Sequence, residues 1–126
     1  MRKGRIDYRM RRLAVLRDVR TGSTSPDDVC DAHPELVRAA RYLGTAIESA
    51  CPICEETQMV HVHYVFEGKR ARTPGGRAVP QDALVHQVER FGELNVYVVE
   101  ACLACHWHHL VESYLLVDED PDASHG

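Results

Sequence analysis

Two CxxC pairs constrain this chain more than any other feature: Cys51-Pro52-Ile53-Cys54 and Cys102-Leu103-Ala104-Cys105. Two residues between cysteines let the backbone turn back and set both sulfurs on one ion. Two such turns complete a tetrahedral thiolate shell of the kind zinc accepts without geometric strain. A lone CxxC is weak evidence. Two of them, each beside a strand-like segment, are strong evidence. The span between them exceeds the roughly 15–20 residues of a compact four-cysteine site, so an insertion is expected there. The sequence thus predicts a structural Zn2+ held by Cys51, Cys54, Cys102 and Cys105.

Three other readings use the same residues. A thioredoxin-like dithiol needs its CxxC to open a helix in a βαβ context, whereas Cys51 follows "TAIESA" and precedes a strand-like run. A catalytic zinc keeps one position open beside three protein ligands, and four cysteines leave none. An HNH-like nuclease combines CxxC pairs with catalytic and metal-binding histidines. "CHWHH" (Cys105 to His109) supplies histidines, but without that motif's ordered histidine pair, spaced Asn and final His. No glycine-rich phosphate loop, Ser/His/Asp arrangement or spaced carboxylate pair stands out, so the enzyme case is weak.

The chain has 126 residues, 44% of them hydrophobic and 27% charged, which suits one small globular domain whose modest core a metal would help to staple. No apolar run nears the ~20 residues needed to span a bilayer. The start, "MRKGRIDYRMRRLAVLRDVR", lacks an apolar leader core and a cleavage site. A cytoplasmic protein is expected, and reducing conditions favour metal over disulfides. Charge is uneven. Arg2, Lys3, Arg5, Arg9, Arg11, Arg12, Arg17 and Arg20 face only Asp7 and Asp18, while Asp118, Glu119, Asp120 and Asp122 make an acidic tail. Lys69, Arg70, Arg72 and Arg77 form a second basic patch. The bland reading of these runs is a solvated face and a solubilising tail; the sharper one is a partner-binding surface.

Ile6, Met10, Leu13 and Leu16 recur at helical spacing, predicting a helix over residues 5–20. Ser25 is placed to cap a short helix with Pro26 at its first position. "HPELVRAARYLG" predicts a helix over Pro34–Leu43 closed by Gly44. "MVHVHYVF" alternates as a strand does, with Val60, Val62, Tyr64 and Phe66 on one face and His61 and His63 facing solvent on the other. "EGKRARTPGGRAVP" reads as a loop, residues 80–91 as an inserted helix ended by Gly92, and "LNVYVVEA" and "HLVESYLLV" as strands. The fold class is α+β: N-terminal helices plus a zinc-ribbon-like antiparallel sheet of about three strands with an inserted helix. The chain divides into a helical segment 1–48, a zinc-ribbon-like domain 49–117 and an acidic, disordered tail 118–126.

His106 is polar filler in a turn or a donor to a sulfur. His108 and His109 open a strand on opposite faces and so cannot both reach one ion. Trp107, the one tryptophan, covers the metal knuckle or serves as a binding hot spot. Cys30 is expected to pack as a small apolar side chain.

The order "VCDAHPELVRAARYLG", "CPIC", a "YVF" strand and "VYVVEACLACHWHHLVESYLL" resembles the small actinobacterial proteins grouped as domain of unknown function 5318, from about Ile6 to Val117. The resemblance implies a zinc-ribbon-like arrangement at the cysteine pairs and carries no activity. His108 and His33 stand where that family commonly has Asn. The expected function is a non-enzymatic adaptor contacting a protein or ribonucleoprotein partner, in transcription or translation by fold analogy. Its candidate surface is Trp107, His109, Arg9, Arg12, Lys69, Arg70 and Arg72. Nucleic-acid binding through residues 1–20 and 69–77, an HNH-like nuclease and a CxxC redox protein are the alternatives.

Overall fold

The computed structural model describes residues 1–67 and 76–118. In chain order they form β1 (Arg2–Asp7), α1 (Arg9–Arg20), α2 (Pro26–Val29), α3 (Pro34–Leu43), β2 (Thr45–Ala46), β3 (Met59–Glu67) and β4 (Arg77–Val79). A 3-10 turn (Gln81–Ala83), α4 (Leu84–Phe91), β5 (Glu93–Cys102) and β6 (His108–Val117) complete them. The fold is α+β, but one antiparallel sheet takes six strands rather than about three. Its order is β1-β6-β5-β3-β2, and β4 pairs with β3 beside β2. No helix among the described residues is long and apolar enough to cross a membrane.

Local chemistry sets several boundaries. The Ser25 side chain accepts from the Asp27 N–H and Asp28 reaches back to Ser25, a capping box with Pro26 at the first position. Pro34 opens α3, with the His33 ring accepting from the Glu35 N–H. Gly44 closes α3 against β3, where a Cβ would meet Val60 Cγ2 at 2.8 Å, so only glycine fits the approach.

The N-terminus departs from the expected single helix. Residues 2–7 instead pair with β6, Arg2 opposite Leu116 and Asp7 opposite Glu112, through an irregularity at Gly4 (φ +59°). The helix itself forms over Arg9–Arg20 and holds Met10, Leu13 and Leu16, but Ile6 lies in β1 and the face shared by Met10 and Leu13 is not the buried one. Ile6, Met10 and Leu13 are exposed, Met10 at 76%, and only Val15 and Leu16 of α1 reach the interior. β2 and β4 are two and three residues long, too short to carry an alternating signal.

The sheet is covered on both faces. On one, Ala39 and Ala40 of α3 pack on Val60, Val62 and Ala101. On the other, α4 covers Val65, Leu94, Val96 and Val98 with Leu84 and Val88, while α1 reaches Met59 and Cys102 at the opposite end. His63 lies on this second face between the two ends. It is therefore buried, 6% exposed, rather than solvent-facing as alternation suggested, and its Nδ1 has no protein partner. Burial lowers the pKa of both His61 and His63. They line a cleft of about 290 Å³ with Arg2, Gln81, Val98 and Glu112.

Candidate metal centre

Both CxxC pairs sit in turns at the ends of strands, and the two turns repeat one geometry. In the first, the Glu55 N–H donates to the Cys51 carbonyl at 3.0 Å and the Ile53 N–H points at Cys51 Sγ at 3.4 Å. In the second, the His106 N–H donates to the Cys102 carbonyl at 2.9 Å and the Cys105 N–H points at Cys102 Sγ at 3.5 Å. The residue after each second cysteine turns left-handed: Glu55 at φ 66° and His106 at φ 71°. β3 and β5 bring the knuckles together, since Met59 pairs with Cys102, and the Leu103 N–H bonds to the Gln58 carbonyl at 3.0 Å.

The sulfurs of Cys51, Cys54, Cys102 and Cys105 consequently all lie within 4.8 Å of one another. Cys51 and Cys105 are 3.6 Å apart, as are Cys54 and Cys102. Around a tetrahedral ion with metal–sulfur bonds of about 2.3 Å, sulfurs sit about 3.8 Å apart, so the four side chains need almost no rearrangement to hold one. Among the described residues this is the one group of His, Cys, Asp and Glu side chains gathered that closely.

Electrostatics bears on what a cation would do here. Burial pushes the Cys51 thiol up to about 12, against the Cys54 and Ile53 N–H groups that favour its thiolate. Burial likewise pushes Cys105 up to about 12. At Cys102 burial also opposes the thiolate, but the N–H groups of Cys105 and Ala104 and the thiols of Cys54 and Cys51 outweigh it, and its pKa falls. Burial thus opposes the thiolate form at Cys51 and Cys105, and a divalent cation would offset that cost.

Met59 and Trp107 close the site with Cys51 and Cys102, and Val15, Leu16, Val29, Ile47 and Ile53 pack around them. Trp107 is 0% exposed, so it cannot present a binding surface. It is the cover, and its Nε1–H donates to Glu100 Oε2 at 2.9 Å. The buried Glu100 also receives Arg12 Nε at 2.6 Å and Nη2 at 3.1 Å. Arg12 is therefore committed to an internal carboxylate, tying α1 to the metal end. His109 stacks on the Trp107 ring at 5.9 Å and its Nδ1–H donates to the Leu110 carbonyl, while His108 pairs with Asp31 at 3.0 Å. Neither histidine joins the sulfur cluster. Arg9 is exposed beside Asp7. Lys69, Arg70 and Arg72 lie outside the described residues, as does the tail from residue 119.

Two residues at this site do more than the sequence alone suggests: a carboxylate beside a cysteine knuckle is ordinarily solvated, yet Glu100 is 5% exposed. Glu100 had a signal: it is in phase with Leu94, Val96 and Val98 on β5, hence on a buried face. Cys30 had none nearby. It packs against this cluster as expected, and in addition its Sγ lies 3.4 Å from Cys105 Sγ.

Comparison with known proteins adds relatives without an activity. The profile described as Family of unknown function (DUF5318) matches residues 1–125. Uncharacterized protein Mb0050 of Mycobacterium bovis and Uncharacterized protein Rv0049 of Mycobacterium tuberculosis are each 41% identical to this chain over 111 residues, 88% of this chain and 80% of the relative. No solved structure matches.

Proposed function

This chain belongs to Family of unknown function (DUF5318), and on that footing we propose a small zinc-binding protein whose ion rigidifies a non-catalytic docking module. One observation carries the reading: four cysteine sulfurs, all within 4.8 Å, form a closed donor set. Four soft thiolates at tetrahedral spacing favour zinc, and they leave no coordination position for substrate or water. The ion then acts by fixing β3, β5 and the start of β6 against α1.

The partner we favour is a protein or ribonucleoprotein meeting the α1–β1 surface. Ile6, Met10 and Leu13 are exposed there beside Arg9. Three of the cations around them are matched by carboxylates: Arg5 by Glu112, Arg9 by Asp7 and Arg12 by Glu100. Paired cations around an apolar patch suit a protein surface better than a bare phosphate backbone. Analogy with zinc ribbons directs the search to transcription and translation complexes.

Elemental analysis of the purified protein should return one zinc per chain; metal-free folded protein would refute the zinc reading. Fluorescence anisotropy with labelled single-stranded RNA and duplex DNA should show no tight complex that dissociates steeply between about 50 and 200 mM salt. A steep salt dependence would replace the protein partner by nucleic acid.

A further inference from the structure

The chain gathers five thiols where a tetrahedral ion takes four. Cys30 ends α2 outside the four-sulfur group, yet its Sγ is 3.4 Å from Cys105 Sγ. That is closer than the 3.6 Å separations from Cys51 to Cys105 and from Cys54 to Cys102. The contact joins two segments pinned to each other just past both cysteines. The Ala32 N–H bonds to the His106 carbonyl at 3.1 Å, and Asp31 meets His108 at 3.0 Å. Exposure leaves both reachable: Cys51 and Cys102 are buried, whereas Cys30, Cys54 and Cys105 are partly exposed, and of these three Cys30 and Cys105 are the pair in contact. A disulfide at its ordinary S–S length of about 2.05 Å needs the two sulfurs to approach by only about 1.4 Å.

We propose that Cys30 and Cys105 are a site of oxidative modification, forming a disulfide when a hydroperoxide reaches them. The Cys105 thiol gives up its proton as its sulfur attacks one peroxide oxygen: an S–O bond forms, the O–O bond breaks, and the departing hydroxide takes that proton to leave as water. The Cys30 sulfur then attacks the resulting sulfenic sulfur. An S–S bond forms, the S–O bond breaks, and the second hydroxide leaves as water with the Cys30 proton. In sum two thiols and one hydrogen peroxide give one disulfide and two waters, the cysteines losing the two electrons that the peroxide gains. The consequence for metal rests on the zinc reading above: a disulfide sulfur is no longer a thiolate donor, so the four-sulfur shell falls to three.

The test treats the full-length protein, as purified, with a small excess of hydrogen peroxide. Cross-linked peptides are mapped by mass spectrometry without reduction, and released zinc is followed with a chromogenic chelator. The expected product is the Cys30–Cys105 cross-link, appearing in step with zinc release and reversed by a thiol reductant with added zinc. Cys30→Ala should keep one zinc yet release it roughly tenfold more slowly, because no adjacent thiol resolves the oxidised Cys105. Cys30→Ser supplies the same measurement should the alanine variant fold poorly. Cross-links confined to Cys51–Cys54 or Cys102–Cys105 would overturn the proposal, as would wild-type release kinetics in both Cys30 variants. Protein that carries no zinc but still joins Cys30 to Cys105 would overturn the zinc reading and support this one; zinc-loaded protein joined elsewhere would do the reverse.

Discussion

One strand crosses two unlike interiors. Along a single face of β5, Leu94, Val96 and Val98 lie in an aliphatic cluster under α4, and two and four residues further on Glu100 and Cys102 lie in a cluster of thiols, a carboxylate and an indole under α1. Both ends have a dry centre; Leu94, Val96 and Trp107 are each 0% exposed. They are held by different means. At the aliphatic end burial is itself the stabilising term, of order 25 cal/mol per Å² of apolar surface removed from water. At the thiol end burial works against the charged sulfurs, pushing Cys51 and Cys105 up to about 12. Burial therefore stabilises one end outright, while on the zinc reading the other end coheres through its ion.

The largest expected effect tests that division directly. Cys102→Ser removes the sulfur with the lowered pKa from the end of β5. Structural zinc in small domains contributes on the order of 10 kcal/mol, comparable with the whole stability of a domain, about 5–15 kcal/mol. The variant should lose zinc and cooperative melting, and Trp107, the sole tryptophan, should shift its emission to the red as its cover over the sulfurs opens. An unchanged melt would mean that the thiol end coheres without its ion. Leu94→Ala should act in the other place by other means. It opens a cavity in the aliphatic cluster and should cost about 3 kcal/mol, with zinc content and Trp107 emission preserved. If Leu94→Ala also released zinc, the two ends would be one cooperative unit and the comparison would fail.

What could be read in the sequence follows the range of the interactions involved. The four cysteines, the Ser25–Pro26 cap, the limits of α3 and the bodies of β3, β5 and β6 are each written within a few neighbouring residues. β1 is not: four of its six residues are charged and all six are exposed, and they become a strand only by pairing with β6 at the other end of the chain. His63 looked solvent-facing because alternation implies one covered face, whereas α1, α4 and α3 together cover both. Cys30 gave no local sign because its neighbour lies 75 positions away. Trp107 was open to two readings, and the partner at Glu100 for its N–H decides for cover over contact surface.

The smallest effect sharpens the same contrast, because the thiol end stores backbone strain that the aliphatic end lacks. Glu55 and His106 occupy the left-handed region at φ 66° and 71°, which costs an L-residue roughly 1–2 kcal/mol. Glu55 is exposed, so Glu55→Gly removes that strain without opening a cavity, and the N–H bond to the Cys51 carbonyl survives. Glycine returns part of the gain as unfolded-chain entropy, leaving about 0.5–1 kcal/mol. For a domain of this size that raises Tm by about 2–5 °C, measurable by calorimetry on the zinc-loaded protein with its metal content unchanged. The rise should shrink once a chelator removes the ion, because a knuckle no longer fixed by two sulfurs can relax Glu55 out of the left-handed region. An equal rise with and without metal would show that the turn is held by its own hydrogen bonds; the thiol end would then be, like the aliphatic end, a structure formed before any ion arrives.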